Sequence, residues 1–165
     1  MSITSIAGKL FVPRQKELQH YQNGAEKMQD EVLKYLVNTA ASTEYGRNHL
    51  FKTIHSYDDF AKNVPLNTYE ELKGDIDRMR HGESDILWPG SVKWYAKSSG
   101  TTNDKSKFIP VSHDGLQRIH YQGGKDVVAL YLRNNPNSRL FDGRSLILGG
   151  SHSPNYNLPG SLVGD

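Results

Sequence analysis

The spacing of apolar residues changes at Trp88-Pro89-Gly90, and this change constrains the possible folds more than any other feature. Before this turn signal, apolar residues recur at helical spacing, whereas after it Val92, Trp94 and Ala96 occupy every second position, as in a strand. The sequence therefore predicts an α/β protein in which helices come first and strands follow.

Two regions follow from this boundary: a mainly helical amino-terminal segment over residues 1–90, and the start of a longer α/β region over residues 91–165. The predicted helices lie at about Pro13 to Tyr21, at Ala25 to Ala41, after Ser56, after Thr68, and from about His113 to Asn134. Ser56 and Thr68 are each followed three positions later by an acid, Asp59 and Glu71, which is the pattern of a helix capping box. We therefore assign the carboxylates at these helix starts to capping and not to acid–base catalysis.

The strands predicted after Gly90 are too few to form a complete sheet. A second strand over Lys107 to Val111 forms a hairpin with the Trp94 strand, and Arg144 to Leu148 reads as a short apolar strand. After Gly150 the chain is expected to be loop-like to its end. A hairpin and one further strand do not make a covered sheet, so we expect an incomplete part of a larger fold.

Composition excludes several classes of function. The chain has no cysteine, which excludes disulfides, thiolate metal sites and a cysteine nucleophile. Its net charge of +2, without a dense basic cluster, predicts no nucleic-acid partner. No apolar run reads as a signal peptide or a membrane span, so we expect a cytoplasmic protein without a membrane partner.

The loop between the two hairpin strands has the composition of a phosphate-binding segment. It reads Ser98-Ser99-Gly100-Thr101-Thr102-Asn103-Asp104-Lys105-Ser106-Lys107. Hydroxyls and backbone N–H groups supply donors, Gly100 allows close approach of the backbone, and the lysines supply positive charge. The spacing fits neither a Walker A loop nor a dinucleotide fingerprint. The same residues also fit a solvated hairpin turn that binds nothing.

The wider context favours phosphate binding, because the loop is one of an ordered set of family-like segments. The others are Thr43 to Arg47, Val64 to Leu66, Tyr69 to Glu71, Arg78-Met79, Gly82-Glu83, Leu87 to Gly90, Trp94 to Lys97, Phe108 to Ser112 and Gly149 to Ser151. In this order they resemble the acyl acid amido synthetases of the auxin-responsive Gretchen Hagen family, within the adenylate-forming superfamily. The resemblance begins near Arg14 and covers only the amino-terminal portion of such an enzyme.

The resemblance implies an enzyme that uses ATP to adenylate a small carboxylic acid and then joins the acid to an amine or amino acid. It implies ATP and Mg²⁺ as cofactors, with the magnesium held through phosphate oxygens. By position, the phosphate-binding residues are Ser98, Ser99, Gly100, Thr101, Thr102 and Lys107. Residues 1–165 alone are expected to be inactive, because the ribose-gripping acid and the carboxy-terminal domain of the superfamily are not among them.

Two departures from the superfamily pattern leave one assignment open. Asn103 stands where a glycine is usual, and no proline precedes the lysine, so either Lys105 or Lys107 faces the phosphates. The helix that begins near His113 walls the acyl-acid pocket in the resembled family. The resemblance therefore places His120, Tyr121 and Gly124 at that pocket, although core packing explains them equally well.

No catalytic residue and no metal site are assigned from the sequence, since no two histidines have metal-ligand spacing. Two other functions remain open as alternatives. One is a phosphate-binding NTPase or kinase-like enzyme, which the missing Walker spacing disfavours. The other is a non-catalytic interaction module, which the ordered family-like segments disfavour.

Overall fold

The computed structural model describes residues 3–98, 106–144, 146, 152–154, 158 and 161–164. Its helices are α1 (Ile3–Asn23), α2 (Ala25–Ala40), α3 (Glu44–Asn48), a 3-10 turn (Phe51–Thr53), α4 (Tyr57–Asn63), α5 (Tyr69–Arg80), α6 (His113–Gly115), a π-helical segment (Leu116–Tyr121) and α7 (Gln122–Asn134). Its strands are β1 (Trp94–Lys97), β2 (Phe108–Val111), β3 (His152–Pro154) and β4 (Leu162–Gly164). The predicted α/β class is confirmed.

The chain forms two compact units, each drawn from two separate stretches of sequence. The first unit consists of Met1–Met28 and Asp114–Gly149, and the second consists of Gln29–His113 and Gly150–Asp165. Among the described residues, no helix combines the length and the apolar character that crossing a bilayer requires.

The second unit contains two clusters of buried apolar side chains. One cluster joins α5 to β1 through Ile76, Met79, Ile86, Val92 and Tyr95. The other joins α2 to the 3-10 turn through Val37, Ala40, Phe51 and Ile54. Trp88 packs against both clusters, so the predicted turn at Trp88-Pro89-Gly90 is also a packing centre.

The sheet of the second unit has the order β2-β1-β4-β3. Strands β1 and β2 are antiparallel, with Lys97 opposite Phe108, so the predicted hairpin is confirmed. The expectation that the chain is loop-like after Gly150 is wrong, because β4 pairs in parallel with β1 and β3 pairs with β4. Strands β3 and β4 have three residues each, which is too short to show the alternation of apolar and polar residues that marks a strand. Their place in the sheet depends on β1, which is distant in sequence. The predicted strand over Arg144 to Leu148 lies mostly outside the described residues.

Local signals at the helix starts of the second unit are confirmed. Ser56 caps α4 in a capping box with Asp59, and Thr68 caps α5 in a capping box with Glu71. The backbone N–H of Thr68 donates to Glu71 at 2.6 Å, and this bond lowers the pKa of the Glu71 carboxyl. The N–H groups of His55 and Ser56 likewise lower the pKa of Asp59. These carboxylates therefore stabilise helix starts, as predicted from the sequence.

In the first unit α1 packs against α7. The predicted start of α1 near Pro13 is wrong, because the helix begins at Ile3. Buried Thr4 is held by two bonds that no local pattern indicates: its N–H donates to Asp142 Oδ1 at 3.1 Å, and its hydroxyl accepts from the N–H of Phe141 at 2.9 Å. Contacts with the far end of the unit therefore fix the start of α1.

A bidentate ion pair joins the middle of α1 to α7. The guanidinium of Arg14 donates to both carboxylate oxygens of Asp126, with the Nη2–Oδ2 distance at 2.8 Å. The side chains are only 14% and 21% exposed, so water screens the pair incompletely. Its hydrogen bonds lower the pKa of Asp126 and raise that of Arg14.

The helix predicted over His113 to Asn134 is present, but the segment Leu116–Tyr121 in its first half is wider than an α-helix. Backbone angles remain right-handed helical at Gly115, Tyr121 and Gln122, so α6, the π-helical segment and α7 form one continuous helix. Residue spacing predicts a helix but not a change from i→i+4 to i→i+5 bonding. Widened segments of this kind are frequent at functional sites.

Candidate nucleotide-binding loop

Ser98 and Lys107 close the base of the predicted phosphate-binding loop. The N–H of Ser98 donates to the Lys107 carbonyl at 3.0 Å, and the N–H of Lys107 donates to Ser98 Oγ at 3.3 Å. The two ends of the loop are thus brought together, as the hairpin prediction required. The other four predicted phosphate-binding residues, Ser99, Gly100, Thr101 and Thr102, and also Lys105, lie outside the described residues.

The Lys107 side chain is exposed and lies beside an aromatic ring. Its Nζ is 5.4 Å from the centroid of the Tyr69 ring, within the range of a cation–π interaction. The Tyr69 hydroxyl accepts the backbone N–H of Phe108 at 3.0 Å. Sequence reasoning placed Tyr69 only in a family-like segment, and thus missed its contact with the loop.

The inner side of the hairpin is buried against α5. The Arg80 guanidinium carbon lies 3.6 Å from the centroid of the Phe108 ring. Tyr95 is 1% exposed, and burial raises the pKa of its hydroxyl to about 12. Because its ring is buried in the apolar cluster that joins β1 to α5, Tyr95 belongs to the core beneath the hairpin.

Several family-like segments meet in an ion-pair network around Arg78. The guanidinium binds Glu44 and Glu83 in a bidentate manner, with N–O distances of 2.6–3.0 Å. These bonds lower the pKa of both carboxyls. Because all three side chains are more than one third exposed, the network contributes little to stability and mainly orients α3 relative to α5.

The predicted acyl-pocket residues belong to the first compact unit. His120 and Tyr121 end the π-helical segment, with ring centroids 5.4 Å apart and ring planes at 65°. Gly124 follows in α7, and a methyl group added there would meet no other atom within 4 Å. All three residues are exposed, so none of them packs in the core of the described chain.

No group of three or more potential metal-ligating side chains occurs among the described residues. An ion carried by phosphate oxygens needs no such group, since Mg²⁺ keeps several waters and is held largely by substrate phosphates. The exposed lysine and hydroxyl at the base of the loop fit an anionic phosphate chain and not a cation.

Comparison with solved structures defines the class of protein to which this fold belongs. A GH3.15 acyl acid amido synthetase shares the fold with a TM-score of 0.73 and 28% identity, over 90% of this chain and 26% of that chain. The same protein in complex with 2,4-DB matches with a TM-score of 0.73 and 28% identity, over 94% of this chain and 26% of that chain. The fold is therefore part of the acyl acid amido synthetase fold.

The sequence relatives give the family. The profile of the GH3 family N-terminal domain matches residues 14–163, and this chain belongs to the GH3 family. An indole-3-acetic acid-amido synthetase, GH3.15 of Arabidopsis thaliana, is 35% identical over 63% of this chain and 18% of its own length. A 4-substituted benzoates-glutamate ligase, GH3.12 of the same organism, is 29% identical over 65% of this chain and 19% of its own length. The family predicted from the ordered segments is thus confirmed, and the matched regions span less than one fifth of these two relatives.

Proposed function

We propose that the protein carrying this chain is an ATP-dependent acyl acid amido synthetase. The match of the family profile to residues 14–163 carries the proposal. In the proposed reaction, a carboxylate oxygen attacks the α-phosphorus of ATP, and the bond to the bridging oxygen breaks to release pyrophosphate. The nitrogen of an amine then attacks the acyl carbon, which releases AMP and forms the amide.

In this proposal the loop from Ser98 to Lys107 binds the ATP phosphates. The two hydrogen bonds between Ser98 and Lys107, one between backbone groups and one from the Lys107 N–H to Ser98 Oγ, support it, because they fix both ends of the loop while leaving the lysine exposed. A fixed positive charge at the position of the phosphate chain lowers the cost of orienting it for attack. Mg²⁺ bound to the phosphate oxygens would neutralise further negative charge.

The acid substrate is proposed to contact His120, Tyr121 and Gly124. Their exposure and the widened helix that carries His120 and Tyr121 support a binding surface. The relatives named for indole-3-acetic acid, for 4-substituted benzoates with glutamate, and for 2,4-DB suggest a small aromatic acid and an amino acid as substrates. The cytoplasmic location expected from the sequence is part of the same proposal.

Acid-dependent exchange of pyrophosphate into ATP tests the first step in the full-length protein. A panel of indole-3-acetate, 4-substituted benzoates and 2,4-DB, each with MgATP, is expected to reveal exchange with at least one acid. The double variant Thr102→Ala/Lys107→Ala is expected to reduce the exchange rate by about 100-fold or more while keeping its circular dichroism spectrum. The reason is that the changes remove one hydroxyl donor and one positive charge that stabilise the phosphates.

The matched control is Lys52→Ala/Thr53→Ala, which removes an exposed lysine and an exposed threonine from the 3-10 turn. We expect this control to exchange at the rate of the unmodified protein. Equal rates in the two double variants would remove the phosphate-binding assignment. Absence of exchange with every acid would contradict the proposed function itself.

A further inference from the structure

The backbone just after the candidate loop is held by a side chain from a different element. Strand β2 is an edge strand of the described sheet, and the N–H of Ser98, directly after its partner β1, donates to the Lys107 carbonyl. Because bonding alternates along an antiparallel pair, the N–H of Phe108 points away from β1. Tyr69 supplies the acceptor for that outward N–H, at 3.0 Å and across 39 residues of sequence.

The Tyr69 side chain also contacts the positively charged ammonium of Lys107. The Tyr69 ring centroid lies 5.4 Å from Lys107 Nζ. Tyr69 thus makes two contacts with two consecutive residues, one to the ammonium of Lys107 and one to the backbone of Phe108. An ammonium that lies over an aromatic ring keeps its positive charge, and its face away from the ring stays open to water or to an anion. This contact therefore orients the Lys107 ammonium without neutralising it.

Tyr69 is itself well fixed. It is the first residue of α5, directly after the N-cap Thr68 and inside the capping box of Thr68 and Glu71, and its partly buried ring packs against the cluster that contains Tyr95. At the other end of α5, the guanidinium of Arg80 stacks on the Phe108 ring. Helix α5 therefore contacts Phe108, the first residue of β2, through both its backbone and its side chain.

We propose that Tyr69 is a positioning residue for ATP binding. It fixes the position of the Lys107 ammonium at the end of the loop. This inference rests on the proposed function, because it assumes that Lys107 meets the phosphates. The Tyr69 hydroxyl fixes the backbone that carries Lys107, and the ring limits where its ammonium lies. A charge held in place before ATP arrives costs less conformational entropy on binding, so Tyr69 acts on the affinity for ATP.

The test compares Tyr69→Phe, which removes only the hydroxyl, with Tyr69→Leu, which removes the hydroxyl and the ring. Tyr57→Phe is the matched control, since Tyr57 is also the first helical residue after the N-cap of a capping box but is 71% exposed. Pyrophosphate exchange in the full-length protein gives KM for ATP and kcat. Amide hydrogen exchange at Phe108, followed by NMR, reports the hydrogen bond without requiring activity.

For Tyr69→Phe we expect KM for ATP to rise about fivefold, with kcat within about twofold of the original and Phe108 amide exchange about fivefold faster. For Tyr69→Leu we expect a rise in KM of about tenfold to thirtyfold, because the cation–π contact is lost as well. Tyr57→Phe is expected to change none of these quantities. If Tyr69→Leu does not fold, Tyr69→Phe alone decides.

Unchanged KM for ATP in Tyr69→Phe, or unchanged exchange at Phe108, would overturn the inference in an active protein. A fall in kcat with constant KM would also overturn it, since that result assigns the effect to chemistry and not to ATP binding. If the unmodified protein shows no acid-dependent exchange, the proposed function fails and the role in ATP binding fails with it. The Phe108 amide measurement separates these two failures, because it tests the Tyr69 contact alone.

Discussion

At the scale of single residues, Gly46 shows how closely two backbone segments approach in the second unit. A Cβ at this position would lie 2.0 Å from the carbonyl oxygen of Ala40 and 2.9 Å from its carbonyl carbon. Thr43, which is fully buried, uses its hydroxyl to donate to Ala40 O at 2.7 Å and to accept from the Gly46 N–H at 3.0 Å. The close approach therefore depends on the absence of a side chain at Gly46.

We expect Gly46→Ala to lower the free energy of unfolding by about 3 kcal/mol, because the obstructing atoms belong to the backbone and cannot rotate away. Gly74→Ala is the control: it lies inside α5, and an added methyl group meets nothing within 4 Å. That change should raise stability by up to about 1 kcal/mol through helix propensity. Urea unfolding followed by fluorescence measures both, since the two tryptophans, Trp88 and Trp94, lie in the same unit. Similar effects of the two substitutions would contradict the packing argument.

At the scale of elements, the long helix from His113 to Asn134 combines a widened segment in its first half with two adjacent glycines. Gly123 and Gly124 both lie in α7, both are exposed, and neither has an atom within 4 Å of a potential Cβ. Each glycine weakens the helix by about 1 kcal/mol relative to alanine. Packing within the described chain does not require either glycine, whereas a bound substrate that approaches the helix backbone would require one of them.

This difference gives a prediction about the acid substrate. Gly123→Ala and Gly124→Ala should each raise the melting temperature, because both remove the same helix penalty. If Gly124 borders the acid pocket, Gly124→Ala should raise KM for the carboxylic acid about tenfold, whereas Gly123→Ala should leave it unchanged. Pyrophosphate exchange at varied acid concentration measures KM. Equal KM values in both variants would contradict the placement of Gly124 at the acid pocket.

At the scale of the whole molecule, each compact unit has its own set of tertiary bonds. The first is held by α1 against α7, through Arg14 with Asp126 and through buried Thr4. The second is held by two apolar clusters and the sheet. Because the chain spans 26% of the matching amido synthetase structure, the proposed activity requires regions beyond those described here.

We accordingly expect residues 1–165 to fold cooperatively but to show no acid-dependent pyrophosphate exchange. The physical reason is that the loop supplies one side of a nucleotide site, and a nucleotide held on one side lacks the orientation that in-line attack needs. Exchange measured with purified residues 1–165 beside the full-length protein decides the point. Turnover by residues 1–165 comparable to that of the full-length protein would show that they contain a complete site.

The sequence predicted the features that depend on neighbouring residues. Both capping boxes and the hairpin between β1 and β2 involve short separations, and the structure contains them. Features fixed by distant partners were missed: β4 pairs with β1, and Tyr69 binds the backbone of Phe108. Gly46 lies within α3 against the backbone of Ala40, and this close approach leaves no mark in local spacing. The loop residues Ser99 to Thr102 stay predictions.

The edge position of β2 has a consequence for how copies of this chain behave together. The N–H groups that point outward from this strand belong to Phe108 and to position 110, by the alternation of the ladder. Tyr69 occupies the first, and Pro110 has no N–H to offer. Within Phe108–Val111 the outer side of the strand therefore presents no free donor to a strand from another molecule. An edge without a free donor is a poor template for strand addition, so Tyr69 and Pro110 together shield this side of β2 within the described sheet.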